Sequence, residues 1–414
     1  MSLHAPIVII GAGQAGFQAA SSLREAGHQG SIALVGDEPH LPYSRPPLSK
    51  AYLAGKTSES QLVLRSEAFY REQRIDLHLG CRVLAVDRKT RLVTLDDGNR
   101  LSYENLIFAT GARNRTLPVD GAESLEGVYA LRTLDDAKNL RQALSDARHA
   151  VVIGAGFVGL EFAATSVQLG VETTVIELQP RPLARAVSAS MAEIFTRQHR
   201  SKGISFRFGA AVRRVLRHNG RVSGIELDDG EQLNADLLLV GIGAQANSEL
   251  AASCGLEVAQ GIVVDRHLQT LDPHIWAIGD CAQHPNVHAD SLAVRLESIQ
   301  NAADQARCVA AQLCGHHAEY VSLPWFWSDQ GDLKLQIAGL LDGHDQLVVR
   351  GTPDSVSCSV FCFKAGRLIA VESVNRPVDH IAARRLLSAR VAITPEQASD
   401  LTLDLRQLAT SYIA

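Results

Sequence analysis

Residues 6 to 37, PIVIIGAGQAGFQAASSLREAGHQGSIALVGD, run from an apolar stretch through three spaced glycines into an alanine-rich stretch, a glycine stop and a second apolar stretch. That pattern predicts strand, tight turn, helix and strand. The same grammar returns in residues 150 to 177, AVVIGAGFVGLEFAATSVQLGVETTVIE. A unit used twice predicts an α/β chain with two Rossmann-like dinucleotide-binding domains. Late in the chain, LKLQIAGLL, HDQLVVRG, SVSCSVFCF and RLIAVESVN read as strands, followed by helical PVDHIAARRLLSAR and a leucine-punctuated tail. This segment predicts a C-terminal α+β domain.

The glycines of each unit have separate tasks. The first permits the sharp turn, the second lets a diphosphate approach the backbone, and the third lets the helix pack against the strand. They are Gly11, Gly13 and Gly16 in the first unit, and Gly154, Gly156 and Gly159 in the second. The helix start then offers unpaired N–H groups and partial positive charge to an anion. An acidic residue closes each second strand, Asp37 and Glu177. A carboxylate there accepts hydrogen bonds from ribose hydroxyls and repels a 2′-phosphate, so Glu177 favours NADH over NADPH. Arg181 and Arg185 follow closely, and three readings stay open for them: a clamp on a 2′-phosphate, contact with the NAD pyrophosphate, or a solvated loop.

Composition narrows the class. With 414 residues, 46% hydrophobic and 21% charged, the chain can bury several cores, roughly three at ~150 residues each. A formal charge of −5 gives no global attraction for nucleic acid or an acidic membrane. Its apolar runs, such as DLLLVGIGA, fall short of the ~20 residues needed to span a bilayer, and no signal-like leader opens the sequence, so a cytoplasmic protein is expected. Seven cysteines, none two residues from another, do not form a disulfide framework or zinc knuckle. Cys358 and Cys362 fall on one face of a strand. His284 and His288 are separated by Pro285, and His316 and His317 lie in a loop, so no metal site is expected. The chain has no P-loop and no serine nucleophile elbow.

Two dinucleotide sites can hold two nicotinamides, two flavins or one of each, and only the third arrangement makes hydride transfer between them productive. RPPLSK (45–50) follows the first unit, and Gly279 and Asp280 end the strand-like HIWAIG. A carboxylate at such a strand end can bind a flavin ribityl chain, which requires residues near 280 to fold back against residues near 11. The ordered set GAGQAG, VGDE, RPPLSK, ATGA, LRTLDDA, GAGFVGLE, GIG and AIGD resembles the two-dinucleotide flavoprotein reductases. Among them it is most similar to the NADH-dependent ferredoxin reductases of oxygenase systems.

This resemblance implies a glutathione-reductase-like architecture: an FAD domain from 1–115 and 245–320, an inserted NAD domain from 116–244, and a C-terminal domain from 321–414. It implies non-covalently bound FAD at Gly11, Gly13, Ala15, Gly16, Asp37, Arg45, Lys50, Val83, Thr110, Gly111 and Arg132. Gly279, Asp280, Glu297, Ser298 and Trp327 complete that set, with Glu297, Ser298 and Gln300 opening a helix aimed at the flavin pyrimidine. NADH as co-substrate falls to Gly154, Gly156, Gly159, Glu177, Arg185 and Gly243. Glu161, placed in the first turn of the second glycine-loop helix, pairs by resemblance with Lys50 beside the flavin edge where hydride arrives. The alternative for that pair is a structural tether. Trp325 and Trp327 share a strand face; by resemblance Trp327 shields the flavin or lies on an electron exit route, and the alternative is packing in a core.

Residues 40 to 53, HLPYSRPPLSKAYL, contain no cysteine, and Cys81 and Cys281 are isolated, so no thiol relays charge from a flavin. Electrons must leave to an external acceptor, and a [2Fe–2S] ferredoxin is expected because FAD converts a hydride into single electrons. The resemblance implies that this ferredoxin supplies a haem-thiolate monooxygenase or a ring-hydroxylating dioxygenase. Arg307, Arg384, Arg385 and Arg390 are candidates for docking an acidic partner. Two other readings remain: an NADH-dependent quinone or monodehydroascorbate-type reductase, and an apoptosis-inducing-factor-like redox sensor. Monomer and homodimer are both open.

Overall fold

In the computed structural model, strand Ser2–Ile10 leads through a glycine turn into helix Gln14–Glu25 and returns as strand Ile32–Gly36. The structure describes residues 2–122, 125–352, 354 and 356–411. Strand Ile32–Gly36 is buried along its whole length, which is why it reads as a continuous apolar run rather than an alternating one.

The chain forms two compact units. One comprises Met1–Ser44, Ser60–Arg113 and Gln245–Pro324. Its sheet runs in parallel through Ile75–Leu79, Ile32–Gly36, Ser2–Ile10 and Arg100–Phe108. Ile275–Ala277 pairs in parallel with the last residues of Arg100–Phe108, bringing distant sequence to the end of the central strands. The antiparallel strands Leu92–Leu95 and Val83–Asp87 extend the same sheet from the other end of Arg100–Phe108. Helices Gln14–Glu25 and Ile299–Leu313 pack together, and Ala19, Ala20, Leu23, Ala306 and Val309 are buried in the core between helices and sheet.

The other unit comprises Arg45–Glu59, Asn114–Ala244 and Trp325–Ala414. Residues Arg45–Glu59 therefore cluster apart from their neighbours in sequence. Its parallel sheet is ordered Ser205–Phe208, Glu172–Glu177, His149–Ile153, Leu237–Val240, Val128–Tyr129. Strands Val212–His218, Arg221–Leu227 and Gln232–Asn234 form a separate antiparallel sheet. The C-terminal segment is a five-stranded antiparallel sheet, in the order Trp325–Gln330, Leu333–Gly339, Arg367–Val374, Ser357–Lys364, Gln346–Thr352. Helix Pro377–Ser388 covers it with Ala382, Ala383, Leu386 and Leu387, and the tail folds as helices Pro395–Ser399 and Leu405–Ser411.

Cys358 and Cys362 lie in strand Ser357–Lys364, where burial of both faces raises their thiols. Among the described residues, no group of His, Cys, Asp and Glu is placed to hold a metal ion, and no helix is long and apolar enough to cross a membrane.

Candidate active site

The first glycine loop is shaped by two unavoidable close approaches. Gly11 has φ +114°, and a Cβ there would lie 2.1 Å from the Ala109 carbonyl oxygen. A Cβ on Gly16 would lie 1.8 Å from the carbonyl oxygen of Gly11. At Gly13, by contrast, a Cβ would meet nothing within 4 Å. The fold itself therefore demands the outer two glycines, while the middle one leaves space at the helix start. Gly13 caps helix Gln14–Glu25 without any side-chain hydrogen bond, so the opening amides face that space. This loop fits a dinucleotide diphosphate.

The Asp280 turn folds against that loop. The predicted strand HIWAIG stops at Ala277, and Gly279–Cys281 forms a short 3-10 turn, so Gly279 and Asp280 lie just past the strand rather than within it. A Cβ on Gly279 would lie 2.9 Å from the Cβ of Ala15. Gln305 accepts the Gly279 N–H at 2.7 Å, and Arg295 donates to the Asp280 carbonyl at 3.0 Å. Thr110 donates to the Asn247 carbonyl at 2.6 Å, and Asn247 donates its N–H to the carbonyl of Gly111. Ser298 caps helix Ile299–Leu313 by accepting the Asn301 N–H at 3.0 Å. Glu297 consequently precedes the helix, exposed and paired with Arg295 at 2.6 Å. Asp37 is exposed one residue beyond its strand, and Val83 opens strand Val83–Asp87.

Two residues that attracted metal or thiol chemistry are packed. His284 is buried, accepts from Gln305 at 3.1 Å, and is held down to about 4 by burial. Burial and a hydrogen bond to Asp96 push the Cys81 thiol up to about 11.

The second glycine loop repeats the design. Gly154 and Gly159 would place Cβ atoms 2.5 Å from the Gly241 carbonyl oxygen and 2.3 Å from that of Gly154, whereas Gly156 meets only a contact at 3.9 Å. Gly156 caps helix Phe157–Gln168 without a side-chain bond. Glu177 ends its strand and is fixed at the loop, accepting N–H bonds from Ala155 at 2.7 Å and Gln179 at 2.8 Å. Arg181 is committed to its own loop, donating to the carbonyls of Val187 and Ala184 at 2.9 Å each. Arg185 is exposed beside Gly243. Arg45 donates to the Arg132 carbonyl at 2.6 Å.

Lys50 and Glu161 meet in this unit at 2.6 Å, with side-chain exposures of 20% and 7%. Helix Phe157–Gln168 makes Glu161 its fifth residue, so the side chain belongs to the second turn and not the first. Its Oε2 also accepts from the Ser49 hydroxyl at 2.5 Å, and its Oε1 accepts from the Ser328 hydroxyl at 2.7 Å. Thr165 ties the Ser49 carbonyl back to the helix at 3.0 Å. Ser49, Thr165 and Ser328 carry no spacing signal, because they come from three separate segments. Trp325 and Trp327 are half-buried with ring centroids 5.5 Å apart, and the Arg384 guanidinium lies 4.4 Å over the Trp325 ring.

Two glycine loops with open helix starts, each at the end of parallel strands, define an α/β oxidoreductase with two dinucleotide sites. The chain belongs to the pyridine nucleotide-disulphide oxidoreductase family, whose model matches residues 5–306, and a reductase C-terminal model matches residues 325–409. It is 50% identical to rhodocoxin reductase of Rhodococcus erythropolis, covering 97% of this chain and 93% of that one. A solved ferredoxin reductase for the CYP199A2 system from Rhodopseudomonas palustris superposes with a TM-score of 0.95 at 50% identity, covering 98% of this chain and 100% of that one. A covalent putidaredoxin reductase–putidaredoxin complex superposes with a TM-score of 0.96 at 39% identity, covering 99% of each chain. FAD and NAD(H) are the cofactors of this family, and both glycine loops fit a dinucleotide.

Proposed function

We propose that the protein is an FAD-dependent ferredoxin reductase that takes electrons from NADH and passes them to a [2Fe–2S] ferredoxin serving a haem-thiolate monooxygenase or ring-hydroxylating dioxygenase. The observation that carries this reading is the pairing of half-buried Lys50 with the buried Glu161 carboxylate in a chain whose seven cysteines are all free. The names of the relatives, reductases of rhodocoxin and putidaredoxin, point the same way.

Bound FAD supplies hydride acceptance and one-electron release. The Gly11–Gly16 loop and the capped start of helix Ile299–Leu313 hold its diphosphate and pyrimidine ends, while Asp280 takes the ribityl chain. The Gly154–Gly159 loop holds the NADH diphosphate, and Lys50 with Glu161 orients the reacting end. Residues 1–115 with 245–320 form the FAD domain, 116–244 the NAD domain, and 321–414 the module that helps receive the ferredoxin. Arg384, Arg385 and Arg390 are exposed there. Arg307 is paired with Asp304 at 2.7 Å, which leaves it a weaker attractor of an acidic surface. We place the protein in the cytoplasm.

Rapid NADH-dependent cytochrome reduction is expected only when a [2Fe–2S] ferredoxin is added. Quinone reduction without ferredoxin would replace this reading with the quinone reductase. A long-lived NADH complex with negligible turnover would replace it with the redox sensor.

Cofactor choice has its own test. Glu177 is fixed at the loop and Arg181 is withdrawn into backbone contacts, so the adenosine ribose meets a carboxylate. Replacing Glu177 by Ala removes a charge-assisted acceptor, and the ratio of kcat/KM for NADH to that for NADPH is expected to fall by about tenfold or more. An unchanged ratio in steady-state assays with both nucleotides would assign the choice to Arg185 or another group.

A further inference from the structure

Glu161 is the end of a longer buried chain. Beyond Ser328, the Gln330 side-chain nitrogen lies 3.1 Å from the Ser328 hydroxyl oxygen, and the Gln330 oxygen lies 2.7 Å from His199 Nε2. Ser328 is fully buried, Gln330 and His199 are 2% exposed, and Glu161 is 6% exposed. The chain joins helix Phe157–Gln168, strand Trp325–Gln330 and helix Ala189–Ser201, all within one compact unit.

Each link constrains the next. Burial pushes the His199 imidazole below its ordinary range, so it carries one N–H. The Gln330 oxygen can only accept, which places that proton on Nε2. The Gln330 amide then donates to Ser328, and the Ser328 hydroxyl is left to donate to Glu161 Oε1. All three donors point toward the carboxylate. Reversing the chain would require Glu161 to donate to Ser328, as a neutral acid whose other oxygen is 2.6 Å from the Lys50 ammonium. A buried anion between an ammonium and two hydroxyls favours the first direction.

We infer that His199, Gln330 and Ser328 are positioning residues forming a one-way hydrogen-bond chain, which fixes Glu161 as an acceptor and locks its carboxylate against Lys50. Its catalytic meaning rests on the proposed role of the Lys50–Glu161 pair, but its existence does not. The side chain of His199 acts through two intermediaries and touches neither nucleotide loop in the contacts described.

The chain makes the tautomer of His199 depend on the chemistry of residue 161. In Glu161→Gln, Lys50 and Ser49 still donate and hold the new amide oxygen, so its NH2 group faces Ser328. The Ser328 hydroxyl must then donate to Gln330, the Gln330 amide turns over and donates to His199 Nε2, and the imidazole proton moves to Nδ1. The 15N spectra of histidine-labelled holoprotein, with the His199 signal identified by its loss in His199→Gln, read this directly. Wild type should show His199 protonated on Nε2, and Glu161→Gln should show it protonated on Nδ1. Adding Ser328→Ala to Glu161→Gln severs the chain and should abolish the switch. A tautomer that is the same in wild type and Glu161→Gln overturns the inference. A switch that survives in the double variant overturns it as well. In Ser328→Ala alone, anaerobic flavin reduction by NADH should slow about tenfold at unchanged KM for NADH, because one donor to the charged group is lost. If the tautomer switch occurs and this rate is unaltered, the chain stands and the hydride-step reading of the pair falls.

Discussion

Lys50→Ala is expected to slow anaerobic reduction of the bound flavin by NADH about 10²-fold while flavin content stays near that of wild type. Glu161 is 7% exposed in its side chain, and it faces one ammonium and two hydroxyls. Deleting the ammonium leaves a buried carboxylate with hydroxyl donors alone. Breaking a buried pair in this way commonly costs about 3–5 kcal/mol. Lys50 is 20% exposed, so water can enter and the loss of stability should fall at or below the lower end of that range. On the proposed placement of the pair beside the reacting atoms, the rate is the more sensitive quantity, because a displaced charge there acts in the transition state, where about 2.7 kcal/mol corresponds to 10²-fold. Stopped-flow bleaching of the flavin and thermal unfolding of the same sample separate the two roles. A lowered melting temperature with an unaltered rate would make the pair a structural tether, the alternative that the sequence leaves open.

The parts of this site that were legible in the sequence are those imposed by backbone geometry. Gly11 and Gly16 are recognisable because no other residue fits against the carbonyls of Ala109 and Gly11, and the same constraint marks Gly154 and Gly159. Strand Ile32–Gly36 and helix Gln14–Glu25 follow from their burial patterns. The return of Asp280 to the first loop was predictable once two carboxyl-terminal strand ends were seen as one ligand edge, and the pairing of Ile275–Ala277 with Arg100–Phe108 produces it. Side-chain networks had no such mark. Ser328, Gln330 and His199 are common residue types at unremarkable positions, and their hydrogen bonds exist only because strand Trp325–Gln330 lies beside two helices. Helix boundaries were also loosely specified. Helix Phe157–Gln168 starts just after Gly156, which puts Glu161 beyond the first turn. The Ser298 cap excludes Glu297 from the helix that the sequence assigned to it. Arg181 read as a possible phosphate clamp because a loop arginine is ambiguous until its carbonyl partners are known.

Gly13→Ala and Gly11→Ala, one pair of neighbouring substitutions, should separate the demands of the fold from those of the nucleotide. A methyl group at Gly11 meets the Ala109 carbonyl at 2.1 Å, on backbone with φ +114° that side chains rarely adopt. Neither the oxygen nor the turn can yield without disturbing the junction of strands Ser2–Ile10 and Arg100–Phe108, whose last residues pair as Ile10 with Phe108. Overpacking and left-handed backbone strain each cost about 1–3 kcal/mol, so Gly11→Ala should be poorly folded with or without FAD. At Gly13 the methyl group has at least 4 Å of clearance within the protein. It is expected to leave the melting temperature of flavin-free protein unchanged, and to weaken FAD binding by about tenfold or more by filling the approach to the opening amides. The useful measurement is therefore a pair: unfolding of the stripped protein, and its reconstitution with added FAD. Full FAD affinity in folded Gly13→Ala would place the diphosphate away from this helix start and withdraw the first loop from the flavin site.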